Sequence, residues 1–189
     1  MVRGIGDGTL DEGRFRRWLV QDCLFLLDYV RLFALAAAAR PTPGRSVGWS
    51  TWPTPPSTTN CRCTAPTPPA SASPSRTWKP PRRRRCAAYT DFLLRTAATG
   101  DFAEIVAALL PCMCGYSEIG RALQAAGPPA EPRYRQWVET DADPGFAELA
   151  AWCAGLLDGV VAGLPPERVA ACEPAFRTNL DHELAFWEA

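Results

Sequence analysis

The sequence predicts an all-α domain, and three observations carry that prediction. Apolar residues recur at spacings of three and four through residues 1–40 and 89–189, as one buried face per helix requires. No stretch of useful length alternates apolar with polar residues, as a half-buried strand would. Glycine, proline and capping acids punctuate the apolar runs where helices should begin and end. With 189 residues and 47% hydrophobic content, the chain is sized for a single domain, 1–189, with a substantial core.

The first long helix is expected over residues 11–39. Phe15, Trp18, Leu19, Phe25, Leu26, Tyr29 and Phe33 fall on one stripe, and Asp22 lies within it. A carboxylate among aromatics needs a hydrogen-bonding or cationic partner to stay ionised; the alternative is an exposed acid at the edge of the stripe. Residues 88–98 make the next helix. Gly100 then stops it, and Asp101 with Glu104 three residues later forms a capping box for a helix starting near Phe102. That helix turns Phe102, Ile105, Val106, Leu109 and Leu110 inward and meets Pro111, where a lost backbone bond predicts a kink beside Cys112. Pro128, Pro129 and Pro132 end the segment, and a short helix carries Tyr134 and Trp137. Asp143-Pro144 opens a helix through Phe146, Leu149, Trp152, Leu156 and Leu157, closed by Gly163 and Pro165-Pro166. The last helix sets Phe176, Leu180, Glu183 and Trp187 on one face, with His182 pointing off it toward the surface.

One segment has a different composition. Residues 41–88 hold eleven of the nineteen prolines, eight basic residues and no Asp or Glu, whereas the remainder holds 12 basic and 20 acidic residues. The net charge of zero therefore hides an acidic helical part and a basic, proline-rich part that cannot form a helical core. Arg82 to Arg85 form a run that could attract nucleic acid or anionic lipid, but no interleaved aromatics, basic helix or helix-turn-helix accompanies it, so no nucleic-acid partner is expected.

No run of 18 apolar residues and no apolar leader after Met1 are present, so neither membrane insertion nor secretion is expected, and the chain reads as cytoplasmic. In that compartment the eight cysteines are expected to be thiols. Cys112 and Cys114 are separated by a single residue, without the second pair a zinc site needs, so no metal is expected.

Six segments occur in one order: Gly4-Ile5-Gly6-Asp7-Gly8-Thr9-Leu10, Leu19-Val20-Gln21-Asp22, Ala88-Tyr89-Thr90, Leu109-Leu110-Pro111-Cys112, Tyr116-Ser117-Glu118-Ile119-Gly120 and Glu183-Leu184-Ala185-Phe186-Trp187. In this order they resemble the TenA/thiaminase II family over residues 4–40 and 86–189. The resemblance implies a haem-oxygenase-like helical bundle, a homotetramer and hydrolysis of an aminopyrimidine in thiamin salvage, with no organic cofactor. It implies that Cys112 is the nucleophile adding to an electron-poor pyrimidine carbon and that Glu183 is the acid/base. Asp22 would grip the aminopyrimidine edge, while Phe25, Tyr89, Tyr116 and Phe186 would line the slot for the flat ring. Read without the resemblance, Cys112 is core filler, Glu183 is a buried acid paired near Arg177 or His182, and the aromatics are ordinary core. The resemblance also leaves room for a catalytically inactive protein of the kind labelled transcriptional regulator, or for a pseudogene product.

Two departures from the family stand out. A helix that usually precedes Gly4 is absent, and Asp141 stands where Trp-x-x-Thr is commonly followed by tyrosine, weakening one wall of the slot. Residues 41–86 depart altogether, and their codons read one base upstream permit family-like text. Thr59 through Thr67 then allow Glu-Leu-Pro-Leu-His-Arg-Ala-Tyr, the family's Glu-x-x-Leu-His-x-x-aromatic pattern. Two compensating single-base shifts, near residues 40–42 and 85–87, would produce this. The other explanation is a natural disordered Pro/Arg-rich insertion. In either case the missing helix leaves its neighbours with apolar surface, and an unstable chain is expected.

Overall fold

The long amphipathic stripe, the capping box and the proline starts each produce a helix where the sequence puts one. The computed structural model describes residues 1–39 and 80–188, and the described residues contain helices and no strand. In chain order the helices are α1 (Val2–Gly6), α2 (Glu12–Ala39), α3 (Arg84–Thr99), α4 (Phe102–Ala125), α5 (Pro132–Asp141), α6 (Pro144–Val161) and α7 (Pro166–Trp187). Together they form a helical bundle.

Helix α4 is the centre, packing on α7, α6, α5 and α3, while α2 closes the bundle against α3. Its apolarity explains the position: Ile105, Val106, Ala108, Leu109 and Met113 are buried, and its exposed positions, Glu118, Arg121 and Gln124 among them, fall toward the C-terminal end. The capping box forms as its sequence predicts, with Asp101 accepting from the Glu104 backbone and Glu104 returning a bond to the Asp101 N–H, both at 2.9 Å. The helix continues through Pro111 as one element rather than ending there. Asp143 caps α6 by accepting from the Phe146 N–H at 3.2 Å.

Three expectations change. Residues 80–86, the last part of the segment expected to be disordered, are built into the bundle. Arg82 pairs with the buried Asp28 and donates to Thr90 at 2.9 Å. The Arg83 N–H donates to Gln21 at 2.7 Å, and Cys86 is buried against α2. Two of the four arginines are thus committed within the chain, since Arg85 donates to the Ala185 carbonyl at 2.9 Å. The rest of the segment, 41–79, lies outside the described residues, as do Cys61 and Cys63. The second change is on α7, where Leu180 is 46% exposed and the inward position belongs to Asn179, fully buried. The third is His182, which is half-buried and stacks its ring 5.4 Å from that of Tyr89, with an interplanar angle of 9°. Spacing from Phe176 predicted one stripe; α7 packs against both α4 and α3, and the stripe it buries runs through Cys172, Asn179, Glu183 and Phe186 instead.

Two glycines are required by the backbone. Gly8, at φ +76°, makes the left-handed turn between α1 and α2. Gly120 lets α4 approach the end of α5: a Cβ there would sit 2.4 Å from the Asp141 carbonyl carbon. That close approach fixes where Asp141 stands.

Two helices, α4 and α6, are long and apolar enough to cross a membrane. In α4 the apolar residues are core, 67% of its most apolar window being buried, whereas in α6 only 17% is.

Candidate active site

A cavity of about 540 Å³ opens where α2, α4, α5 and the start of α6 meet, a size that suits a small organic ligand. Of the seven residues singled out in the sequence, Asp22, Phe25, Cys112 and Tyr116 line it. The other three, Tyr89, Phe186 and Glu183, form the wall behind. The Tyr89 ring lies 4.7 Å from that of Phe25 and the Phe186 ring 5.8 Å from it. Tyr116 stacks 5.0 Å from Trp187, and Trp18 and Trp137 complete an aromatic cluster behind it. The structure therefore brings all seven residues to one place from four helices.

Asp22 is buried in the α2 stripe, which decides against the exposed alternative. Glu183 is buried too, and its partner is neither Arg177, which pairs with Glu173, nor His182. The Tyr89 hydroxyl lies 2.5 Å from Glu183 Oε1 and 2.8 Å from Asn179 Oδ1. Asn179 Nδ2 in turn donates to the Ala108 carbonyl, which leaves its oxygen to face Tyr89 as an acceptor. Tyr89 has one proton and two acceptors. The network is complete when Glu183 is protonated: Glu183 donates to Tyr89, Tyr89 to Asn179, and Asn179 to Ala108. When Glu183 is ionised, Tyr89 can serve only one of the two.

Burial pushes the Glu183 carboxyl up to about 7, partly offset by its hydrogen bonds with Tyr89 and Cys112. It is poised to exchange a proton near neutrality. Its second oxygen, Oε2, has no hydrogen-bond partner. The Cys112 thiol is raised well above its usual value by burial and then by the Glu183 carboxylate facing it; a hydrogen bond with Tyr29 acts the other way. The resemblance implies Cys112 as the nucleophile, and the thiolate is the reactive form of a cysteine. In this pocket, with no cation among the described residues that line it, the resting group is the thiol, so it needs a base, and Glu183 is the base within reach.

The six cysteines among the described residues are free thiols, and those residues contain no group of three or more His, Cys, Asp or Glu placed to hold a metal ion. Asn179 was missed in the sequence because an amide on an apolar stripe carries no signal of its own; only its contact with Tyr89, 90 residues away, reveals it. Asp141 is the other surprise. It is buried in the cavity wall, with Oδ2 unpartnered.

The TENA/THI-4/PQQC family pattern matches residues 1–47 and 76–189. An aminopyrimidine aminohydrolase of Halalkalibacterium halodurans is 33% identical over 193 residues, covering 99% of this chain and 84% of that one. An aminopyrimidine aminohydrolase of Bacillus subtilis is 29% identical over 189 residues, covering 98% and 79%. Among solved structures, a TenA family transcription regulator from Silicibacter sp. superposes with a TM-score of 0.76 at 26% identity, covering 99% of this chain and 85% of that one. A TenA homologue from Pyrococcus furiosus superposes with a TM-score of 0.78 at 17% identity, covering 99% and 88%, a likeness of fold.

Proposed function

The chain belongs to the TENA/THI-4/PQQC family, and on that premise we propose that it is an aminopyrimidine aminohydrolase acting in thiamin salvage. The observation that carries the reading is the pairing of a buried Cys112 thiol, which lines a cavity large enough to admit a pyrimidine, with a Glu183 carboxyl held near neutrality behind it. Two relatives named aminopyrimidine aminohydrolase, at 33% and 29% identity, support the same chemistry.

In the proposed reaction the flat ring lies against Phe25 and Tyr116, with its amino edge on Asp22. Ionised Glu183 takes the Cys112 proton as sulfur bonds to an electron-poor ring carbon, so that no free thiolate is needed in the apolar pocket. Protonated Glu183 then passes that proton toward the ring and the departing amine. The amine leaves as ammonia, water supplies the hydroxyl, and the sulfur–carbon bond breaks to regenerate the thiol. The sum is aminomethylpyrimidine plus water giving hydroxymethylpyrimidine plus ammonia. Tyr89 and Asn179 hold Glu183 in place through both protonation states. Ammonia release from the aminomethylpyrimidine tests the reading: Cys112→Ala should abolish it, and retained turnover would refute the assignment.

Assembly as a homotetramer belongs to the same proposal. It is supported by α6, whose Phe146, Leu149, Trp152, Leu157 and Val160 are only partly buried in the single chain. The frame-shifted origin of residues 41–86 is proposed with it. The family pattern breaks off over residues 48–75, inside that segment, and resumes on its far side.

A further inference from the structure

The cavity carries more acid than the proposed reaction uses. Asp22 and Asp141 stand in its wall at 7% and 4% exposure, Glu139 and Asp143 stand at its rim, and no Lys, Arg or His is among the described residues that line it. Asp22 is already assigned to the amino edge of the ring. Asp141 is not used at all, and its Oδ2 is shielded from solvent without a hydrogen-bond partner. A buried carboxyl oxygen left unpartnered costs free energy that a bound donor would recover.

The position is built rather than incidental. Asp141 is the last residue of α5, and the backbone there is held by the close approach of Gly120 on α4. Within that frame only the carboxyl torsion is soft, so turning Oδ2 toward a ligand in the cavity is cheap.

We propose that Asp141 is a further substrate-binding residue, whose unpartnered oxygen takes a hydrogen bond from a second basic nitrogen of the ligand. With Asp22 on the ring's amino edge, the cavity thereby selects a pyrimidine bearing an additional amine over one whose corresponding group is neutral. This inference rests on the proposed pyrimidine site.

The electrostatics agree. Burial, and then the neighbouring Asp22, push the Asp141 carboxyl well above the usual range, which favours its neutral form. Among the described residues, the titratable groups that line the cavity with it are Asp22, Glu139, Asp143, the Cys112 thiol and the Tyr29 and Tyr116 hydroxyls, and none of them supplies a positive charge. A ligand ammonium is the missing counter-charge, and its arrival favours the ionised form and a charge-assisted hydrogen bond.

The test compares two probes, 4-amino-5-aminomethyl-2-methylpyrimidine and its 5-hydroxymethyl counterpart, titrated calorimetrically into the full chain carrying Cys112→Ala so that neither turns over. Adding Asp141→Asn, which keeps the shape and removes the charge, should weaken the amine probe about tenfold or more. The hydroxymethyl probe should change less than about twofold. Asp141→Ala should reproduce the selective loss. Equal weakening of both probes would show a structural role only, and unchanged affinities would show no role; either overturns the inference while leaving the pyrimidine site standing. Failure of both probes to bind the chain with Asp141 intact would overturn the site and the inference together.

Discussion

At the residue scale, the chemistry turns on what burial does to two groups that water would leave ordinary. Glu183 is raised from 4.5 to about 7, so between those values the folded state holds a proton that the unfolded chain has released. Stability therefore falls as pH rises through that window, and the loss is complete above pH 7. At about 1.4 kcal/mol per pH unit the effect is on the order of 3–4 kcal/mol. Glu183→Gln should flatten this slope, making the variant more stable than the parent at pH 8 by denaturant unfolding. The same variant should lose roughly a hundredfold or more in turnover, because the amide cannot accept the Cys112 proton. Activity of the parent should rise as pH rises through about 7, the direction opposite to stability, because only ionised Glu183 can serve as the base. A flat profile between pH 6 and 8 would remove Glu183 from that role.

At the element scale, the site depends on how closely α4 can lie against its neighbours. Gly120→Ala would drive a Cβ to within 2.4 Å of the Asp141 backbone, which neither helix can relieve by turning a side chain. Overpacking of this kind costs about 1–3 kcal/mol and should also move Asp141, so the variant should melt earlier and bind the aminomethylpyrimidine more weakly. The start of α4 offers a contrast. Asp101→Ala removes one half of the capping box and should cost about 1 kcal/mol without altering substrate affinity, since that end lies a full helix segment away from Cys112. Thermal unfolding set beside KM separates the two. Only the capping box was legible in the sequence: it is a local signal four residues long, whereas the importance of Gly120 exists only because another helix arrives there.

For the whole molecule, the proposals concern what covers the apolar surface left by a single chain. Light scattering of the purified protein should give a mass of four chains, 20.6 kDa each, if α6 is buried between copies, and a monomer would set that assembly aside. Restoring the alternative reading frame across residues 41–86 should raise the melting temperature by about 5 °C or more, as a helix replaces proline-rich text beside the exposed Leu27, Val30 and Leu35 of α2. An unchanged or lower melting temperature would instead favour a native insertion, and the ordered Arg82–Asp28 pair is the feature such an insertion would retain. The sequence by itself determined the helical class, nearly every helix start, and the family segments carrying Asp22, Cys112 and Glu183, because caps, prolines and 3.6-residue periodicity act between near neighbours. Only the tertiary structure decided that Glu183 leans on Tyr89 and Asn179, that His182 stacks inward and Leu180 faces out, and that Asp141 stands unpartnered in the cavity wall. Those outcomes depend on which helices meet and at what rotation, and a buried charge takes its properties from neighbours that are distant in the chain.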